Sequence, residues 1–217
     1  MDIADVILDM LNDPSNLQLP DPYLRNYYLD EQNRTYCIDT EITDRVLDLV
    51  RMIIRWNEED EALNLQSENR IPIKILISSP GGNVMPAWTL INAIQTSKTK
   101  VITVNYCYAY SAAALILAAG HERYALRGTS CMLHNGGYEL KGQVDQVESA
   151  KKFLDKINKR MDQWIFDRSS INSRGYKRKA IVDWYLDEDE MLSNGIVDHI
   201  VNSFDELPRF GVHYNND

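Results

Sequence analysis

The sequence predicts an α/β fold built on a parallel sheet, with one long helix projecting from the body. Three observations carry this expectation. Two buried-strand patterns, Ile71 to Ser79 and Val101 to Tyr106, are each followed by a turn and a helical apolar pattern, and strand-turn-helix repeats imply βαβ units. From Gln143 to about Arg168, the residues Val147, Ala150, Leu154, Ile157, Met161, Trp164 and Ile165 space apolar side chains mostly by three or four, which gives a long helix with a single apolar stripe. With 217 residues and 44% hydrophobic content, the chain is long enough to bury roughly 70% of its unfolded surface in one core, so a single domain is the default.

The elements follow in order. Residues 1–33 form an acidic amino-terminal segment in which Pro14, Pro20 and Pro22 break any long helix, leaving a short helix and an extended arm. Thr35 to Ile38 is a short strand. Thr43 or Asp44 can cap a helix whose apolar positions Val46, Leu49, Val50, Ile53 and Ile54 recur at helical spacing. Glu58 to Arg70 is charged and polar and leads into the strand ending at Ser79. Pro80-Gly81-Gly82-Asn83 marks a tight turn, and Trp88, Ile91 and Ile94 continue as a helix. After Val101 to Tyr106 comes a small-residue helix from Ser111 to Ala119, then short strands at Glu122 to Leu126 and Cys131 to Leu133. Gly136-Gly137 opens an irregular connection to the long helix. No internal repeat or low-complexity tract is present.

Composition excludes several function classes. A formal charge of −9 argues against a phosphate-binding surface, because nucleic-acid affinity rests on clustered Lys and Arg. Cys37, Cys107 and Cys131 are widely separated, with no C-x-x-C pair and no zinc spacing, which fits a reduced intracellular setting. The first residues carry several Asp and lack the basic region and cleavage site of a secretory signal. The longest apolar run, after Ser111, is far short of the roughly 20 residues that span a bilayer, so a soluble protein is expected.

Three places carry chemistry. Gly81-Gly82 follows a buried strand, where glycines let backbone N–H groups approach a ligand and form half of an oxyanion hole; read alone, the same residues make an ordinary type II turn. Ser111 opens a helix, a position where serine commonly caps. The G-x-S-x-G elbow is absent, since the local run is Ala109-Tyr110-Ser111-Ala112-Ala113. His134 ends a short strand, where a ring can reach a serine or simply serve as a hydrogen-bonded structural group.

Taken in order, ISSPGG, SAAALILAAG, RYAL, MLH, the long helix and NGIVDHI resemble the oxyanion turn, nucleophile helix, histidine strand, handle and carboxyl-terminal acid region of the Clp proteolytic (ClpP) family. The resemblance runs from about Thr35 to Asp198. It implies a ClpP/crotonase-like fold of repeated βαβ units with a projecting helical handle. The peptidase domain would occupy residues 34–205, with the handle at about 137–168 and a tail at 206–217. It further implies a serine endopeptidase with Ser111 as nucleophile, His134 as general base and Asp183, placed by counting back from Gly195 in NGIVD, as the acid that orients the imidazole. Backbone N–H groups of Gly82 and Ala112 would hold the oxyanion. No cofactor or metal is implied. The implied partners are copies of the same chain in heptameric rings stacked in pairs, a Clp-type AAA+ ATP-dependent unfoldase and polypeptide substrates, in the cytoplasm or an equivalent compartment.

The chain departs from the family pattern around these residues. Cys107-Tyr108-Ala109-Tyr110 stands where Gly-Met-Ala-Ala is usual, Ala112-Ala113 where Met-Gly follows the nucleophile, Asn135-Gly136 where Gln-Pro follows the histidine, and Ile181-Val182 where an acidic-basic pair precedes the acid. The amino-terminal segment matches poorly. Asp187, Glu188, Asp189 and Glu190 are rivals for the acid but read as a solvated helix start. His121, His199 and His213 have no motif support, and Trp88 and Trp164 read as packing. Two other functions are weighed against the peptidase: a catalytically idle structural or regulatory subunit of such a complex, and a crotonase-like acyl-CoA enzyme, which would give the Ser111, His134 and Asp183 set no role.

Overall fold

The computed structural model describes residues 31–137 and 140–208. The expected helix and arm before residue 31, His213 and most of the expected tail lie outside these residues. The strands are β1 (Thr35–Ile38), β2 (Ile73–Ser79), β3 (Val101–Tyr110), β4 (Glu122–Leu126), β5 (Ser130–Leu133), β6 (Trp184–Asp187) and β7 (His199–Val201). The helices are α1 (Val46–Ala62), α2 (Val84–Thr96), α3 (Ala112–Leu117), α4 (Val144–Arg168), α5 (Ser173–Lys179) and α6 (Glu188–Ser193).

The main path of the sheet runs β1-β2-β3-β4-β7, parallel throughout. β3 is long enough to change partners. Ile102 to Asn105 pair with β4, and Tyr108 to Tyr110 pair with β5, which in turn pairs antiparallel with β6. Each of Ile73, Ile75, Ile77 and Ser79 is fully buried while the residues between them are partly covered, the period-2 signature of a strand. Their face meets α1, α2 and α3 in the main core. On the other face Ile102, Val104, Tyr124, Val201 and Leu207 form a second, smaller cluster.

Several expectations need correction. α1 has no side-chain cap: Arg45 holds the cap position, and Thr43 Oγ1 only accepts weakly from the Arg45 N–H at 3.4 Å. Ile54, counted in its apolar stripe, is 51% exposed, while Met52, Trp56 and Asp60 are buried. The stripe therefore turns along the helix, and α1 runs on to Ala62 into the segment read as polar. That extension is held by Asp60, which takes a two-point contact from Arg34 at 2.8 Å and a hydrogen bond from Thr99 at 2.7 Å. Burial alone would raise the Asp60 carboxyl, but these hydrogen bonds and the charges of Arg34 and Arg70 hold it below its ordinary value. β3 continues to Tyr110, four residues past the expected end, because beyond a bulge it stays paired with Ser79 of β2 on one side and exchanges β4 for β5 on the other. α3 spans six residues rather than nine.

The long helix is present, with Gln143 at its amino-terminal boundary. Of the seven expected stripe residues only Ile157 and Ile165 are buried. Its carboxyl-terminal end is fastened to the end of α3. Trp164 Nε1 donates to the Leu115 carbonyl at 3.3 Å, and Arg168 donates to the carbonyls of Ala118 and Gly120 at 2.9 and 2.7 Å, a cation where helical carbonyls are left over. Trp88 packs edge-on against Trp164 at 5.7 Å. Further toward the amino terminus the helix separates from the body, leaving Phe153 and Val144 56% and 74% exposed.

Candidate active site

Strand register places the site at the carboxyl ends of the parallel strands, where open α/β sheets bind ligands. β3 and β5 run side by side, with Tyr110 opposite Met132, and the Ser111 N–H donates to the Met132 carbonyl at 2.8 Å. The next residues out on the two strands are Ser111 and, one further along, His134. β5 and β6 run antiparallel with Leu133 opposite Trp184. One further step in that register sets His134 beside Asp183. Three separate stretches of sequence thus converge through backbone pairing alone.

The geometry at the convergence is specific. Ser111 Oγ lies 2.7 Å from His134 Nε2. His134 Nδ1 faces Asp183 Oδ1 at 3.6 Å, an ion-pair spacing longer than a hydrogen bond. Ser111 occupies the helix-capping position, yet its side chain accepts no capping hydrogen bond and its φ is +54°. The reading of Ser111 as a simple cap is set aside by this geometry. A non-glycine residue at positive φ is strained, and here the strain accompanies a hydroxyl aimed at an imidazole.

The glycine turn wraps the same point. A Cβ on Gly81, whose φ is +90°, would sit 2.4 Å from the Tyr110 carbonyl and 2.8 Å from Ser111 Cβ, so only glycine lets the turn lie against the serine. The Gly81 carbonyl accepts from the Ile42 N–H at 2.7 Å and the Ile42 carbonyl accepts from the Asn83 N–H at 2.8 Å. This single parallel bridge uses the groups on either side of Gly82, so the Gly82 N–H points away from Ile42. The Ala112 N–H is the first of α3 and belongs to the donors that a helix leaves unsatisfied. A cleft of about 460 Å³ lies in front of these groups, with Gly82, Ser111, Ala112 and His134 on one wall and Leu154, Ile157 and Met161 of α4 on the other. Its far wall is mostly apolar, with Asn158 of α4 the polar exception, and is suited to a side chain or backbone segment rather than to a small ion.

The other residues weighed as candidates fall elsewhere. Asp187 caps α6 in a reciprocal capping box with Glu190, and Glu188 and Asp189 lie beside Arg127 at 3.6 and 3.2 Å. His121 Nδ1 accepts from the Val101 N–H at 2.9 Å, and His199 stacks on Tyr124 with ring centres 4.7 Å apart. Cys131 is fully buried three residues before His134, and burial pushes its thiol up to about 12.

A family model of the Clp protease matches residues 32–204. An ATP-dependent Clp protease proteolytic subunit 2 from Bacillus licheniformis is 27% identical over 136 residues, covering 62% of this chain and 72% of that protein. A protein of the same description from Treponema pallidum is 24% identical over 164 residues, covering 75% of this chain and 80% of its own length. The chain belongs to the Clp protease family. It is therefore a serine-type endopeptidase subunit with the α/β fold of that family. Membership of the Clp family also implies oligomeric assembly and association with Clp ATPases.

Reading the sequence missed α5, β6 and β7 altogether. α5 is capped by Asn172, whose side chain accepts from the Gly175 N–H at 2.8 Å. An Asn before a short helix was the available signal. β6 is four residues long and half exposed, too short for periodicity to show.

Proposed function

We propose that Ser111, His134 and Asp183 are the catalytic triad that cleaves peptide bonds of unfolded proteins and peptides. The observation that carries this reading is the 2.7 Å contact between Ser111 Oγ and His134 Nε2 at a strained strand-to-helix turn. In the reaction Ser111 Oγ attacks the scissile carbonyl while its proton passes to His134 Nε2. The N–H groups of Gly82 and Ala112 receive the negative charge that develops on the carbonyl oxygen. His134 then protonates the leaving amine, and water hydrolyses the acyl-enzyme by the same path in reverse. Asp183 keeps the second imidazole proton on Nδ1 and stabilises the cation. The 3.6 Å separation of Asp183 from His134 closes to hydrogen-bond distance in the assembled enzyme.

Assembly is read as heptameric rings stacked in pairs, enclosing the sites and fed by an ATP-dependent Clp-type unfoldase, in a reducing cytoplasmic compartment. Ile181 and Val182, beside Asp183, are 74% and 69% exposed in the single chain, as are Val144 and Phe153 on α4 at 74% and 56%. Ring stacking would cover such surface. The test is labelling with a fluorophosphonate. Reaction at Ser111, lost in Ser111→Ala with assembly intact, is the expected result, and full peptidase activity in Ser111→Ala would end the proposal.

A further inference from the structure

His134 and Asp183 are held in different ways. Past β5 the His134 segment is tied through its own backbone: the His134 carbonyl accepts from the Tyr176 hydroxyl at 3.4 Å, the Asn135 N–H donates to the Ala180 carbonyl at 3.0 Å, and the Gly136 carbonyl accepts from Asn158 Nδ2 at 3.1 Å. Asp183 stands just before β6, and among the described residues β6 pairs with β5 alone. So short an edge pairing opens readily unless side chains hold it. Tyr110, Met132 and Tyr185 lie opposite one another in one row across β3, β5 and β6. Their neighbours Ala109, Cys131, Leu133 and Leu186 belong to the main core, so strand alternation puts the row on the other face. There the rings of Tyr110 and Tyr185 meet edge-on, 5.6 Å apart at 86°. β5 runs between their two strands, so the rings close over Met132, which is buried. Tyr110 is itself fixed, with its hydroxyl 2.9 Å from Ser130 Oγ and its ring 5.0 Å from that of Tyr108.

We propose that Tyr110 and Tyr185 are positioning residues for Asp183, their rings clasping β6 to the nucleophile strand so that the carboxylate faces the His134 ring. The proposal rests on the triad reading. Met132 precedes His134 by two residues and Tyr185 follows Asp183 by two, so the clasp acts one step along the strands from the base and the acid. Edge-to-face rings favour an angle as well as a distance, so the contact resists both the lifting of β6 and its twisting about β5. Tyr110 immediately precedes Ser111, and the acid strand thereby takes its position from the strand that presents the serine. Position 110 lies in the run Cys107-Tyr108-Ala109-Tyr110, where the chain departs from the family pattern, and the alanine usual there has no ring to reach β6. On the core face the next residue after Asp183 is held as well, since Lys179 Nζ lies 4.3 Å from the centre of the Trp184 ring. Neither tyrosine ring lines the cleft in front of Ser111, so the clasp bears on the placement of Asp183 and not on the binding of substrate.

The experiment measures peptide hydrolysis and the rate of fluorophosphonate labelling in the assembled wild type, Tyr185→Ala, Tyr185→Phe, Asp183→Asn and the combination of Tyr185→Ala with Asp183→Asn. Tyr185→Ala should lower kcat about three- to ten-fold, the worth of one edge-to-face pair, with KM changing less than about two-fold. Tyr185→Phe keeps the ring and should stay within about two-fold of the wild type. Added to Asp183→Asn, Tyr185→Ala should cost less than about two-fold further in either readout, because no carboxylate remains to be placed. Wild-type kcat in Tyr185→Ala, or an equal loss in Tyr185→Phe, would overturn the proposal. So would an undiminished loss on top of Asp183→Asn, which would show the ring acting on the fold as a whole. If Tyr185→Ala does not assemble, Tyr110→Ala removes the other ring and is read in the same two backgrounds, with wild-type kcat or an equal loss in both as the overturning results. A wild type that does not label, or wild-type turnover in Asp183→Asn, would instead remove the triad reading, so the two failures are told apart.

Discussion

Ser111 stands at the end of a strand and ahead of a helix, α3, whose residues Ala112 to Leu117 are all buried. Asp183, by contrast, is half exposed and follows Ile181 and Val182, which are 74% and 69% exposed. The serine side is fixed by what the core cannot give up: the bulged β3, the glycine turn with no room for a Cβ, and the Met132 hydrogen bond. The acid side is placed by the four-residue pairing of β5 with β6 and the ring contact beside it. On the proposed triad reading, Ser111 and His134 are therefore brought to contact at 2.7 Å by folding, whereas Asp183 stands 3.6 Å from the ring.

The sharpest way to break this comparison is at the serine. Ser111→Ala should lower peptide turnover by about 10⁶, while leaving assembly by light scattering unchanged. Next is Asp183→Asn, which should cost on the order of 10⁴ in turnover, with Asp187→Asn nearly neutral because Asp187 caps α6. Equal losses in the two variants, measured by steady-state hydrolysis, would move the acid elsewhere. Gly81→Ala should act through stability, lowering it by about 3 kcal/mol in thermal or denaturant unfolding, since the added methyl meets backbone at 2.4 Å and φ is positive. A wild-type melting curve would mean that the turn is far softer than it looks. The smallest effect concerns salt. Apolar Ile181 and Val182 cannot form an ion pair, so assembly should change less than about two-fold as the Debye length falls from about 10 Å at 0.1 M to about 3 Å at 1 M. Sedimentation that shows rings parting as salt rises would assign the stacking to charged groups elsewhere.

The sequence made some parts of this molecule readable and hid others for physical reasons. β2, α4 and the glycine turn were legible because each shows itself locally, by alternation, by period or by residues with special backbone freedom. Ser111 and His134 were legible only through the order of their motifs. Locally, Ser111 looks like a cap, and its positive φ and unused capping role emerge only when β3 and β5 are paired. The turn of the α1 stripe past Ile54 was invisible because Asp60, a buried acid, marks the helix face, and its partners Arg34 and Thr99 are 26 and 39 residues away. Tyr176 gave no signal at all, since a tyrosine that bonds a main-chain carbonyl leaves no spacing to count.

The pairing of β4 with β7 has a kinetic consequence. Arg123 donates to Asp198 across a separation of 75 residues, at 2.9 Å from both its N–H and its guanidinium Nε, and Tyr124 lies opposite His199. On a ribosome that adds about 5–20 residues per second, the flank of β4 stays uncovered for roughly 4–15 s after it emerges. During that interval it is a parallel edge with open backbone groups beside the apolar Val104 and Tyr124, a template for pairing with a neighbouring nascent chain. Substitutions that weaken β7 should therefore reduce soluble yield more than they reduce the stability of molecules that have already folded.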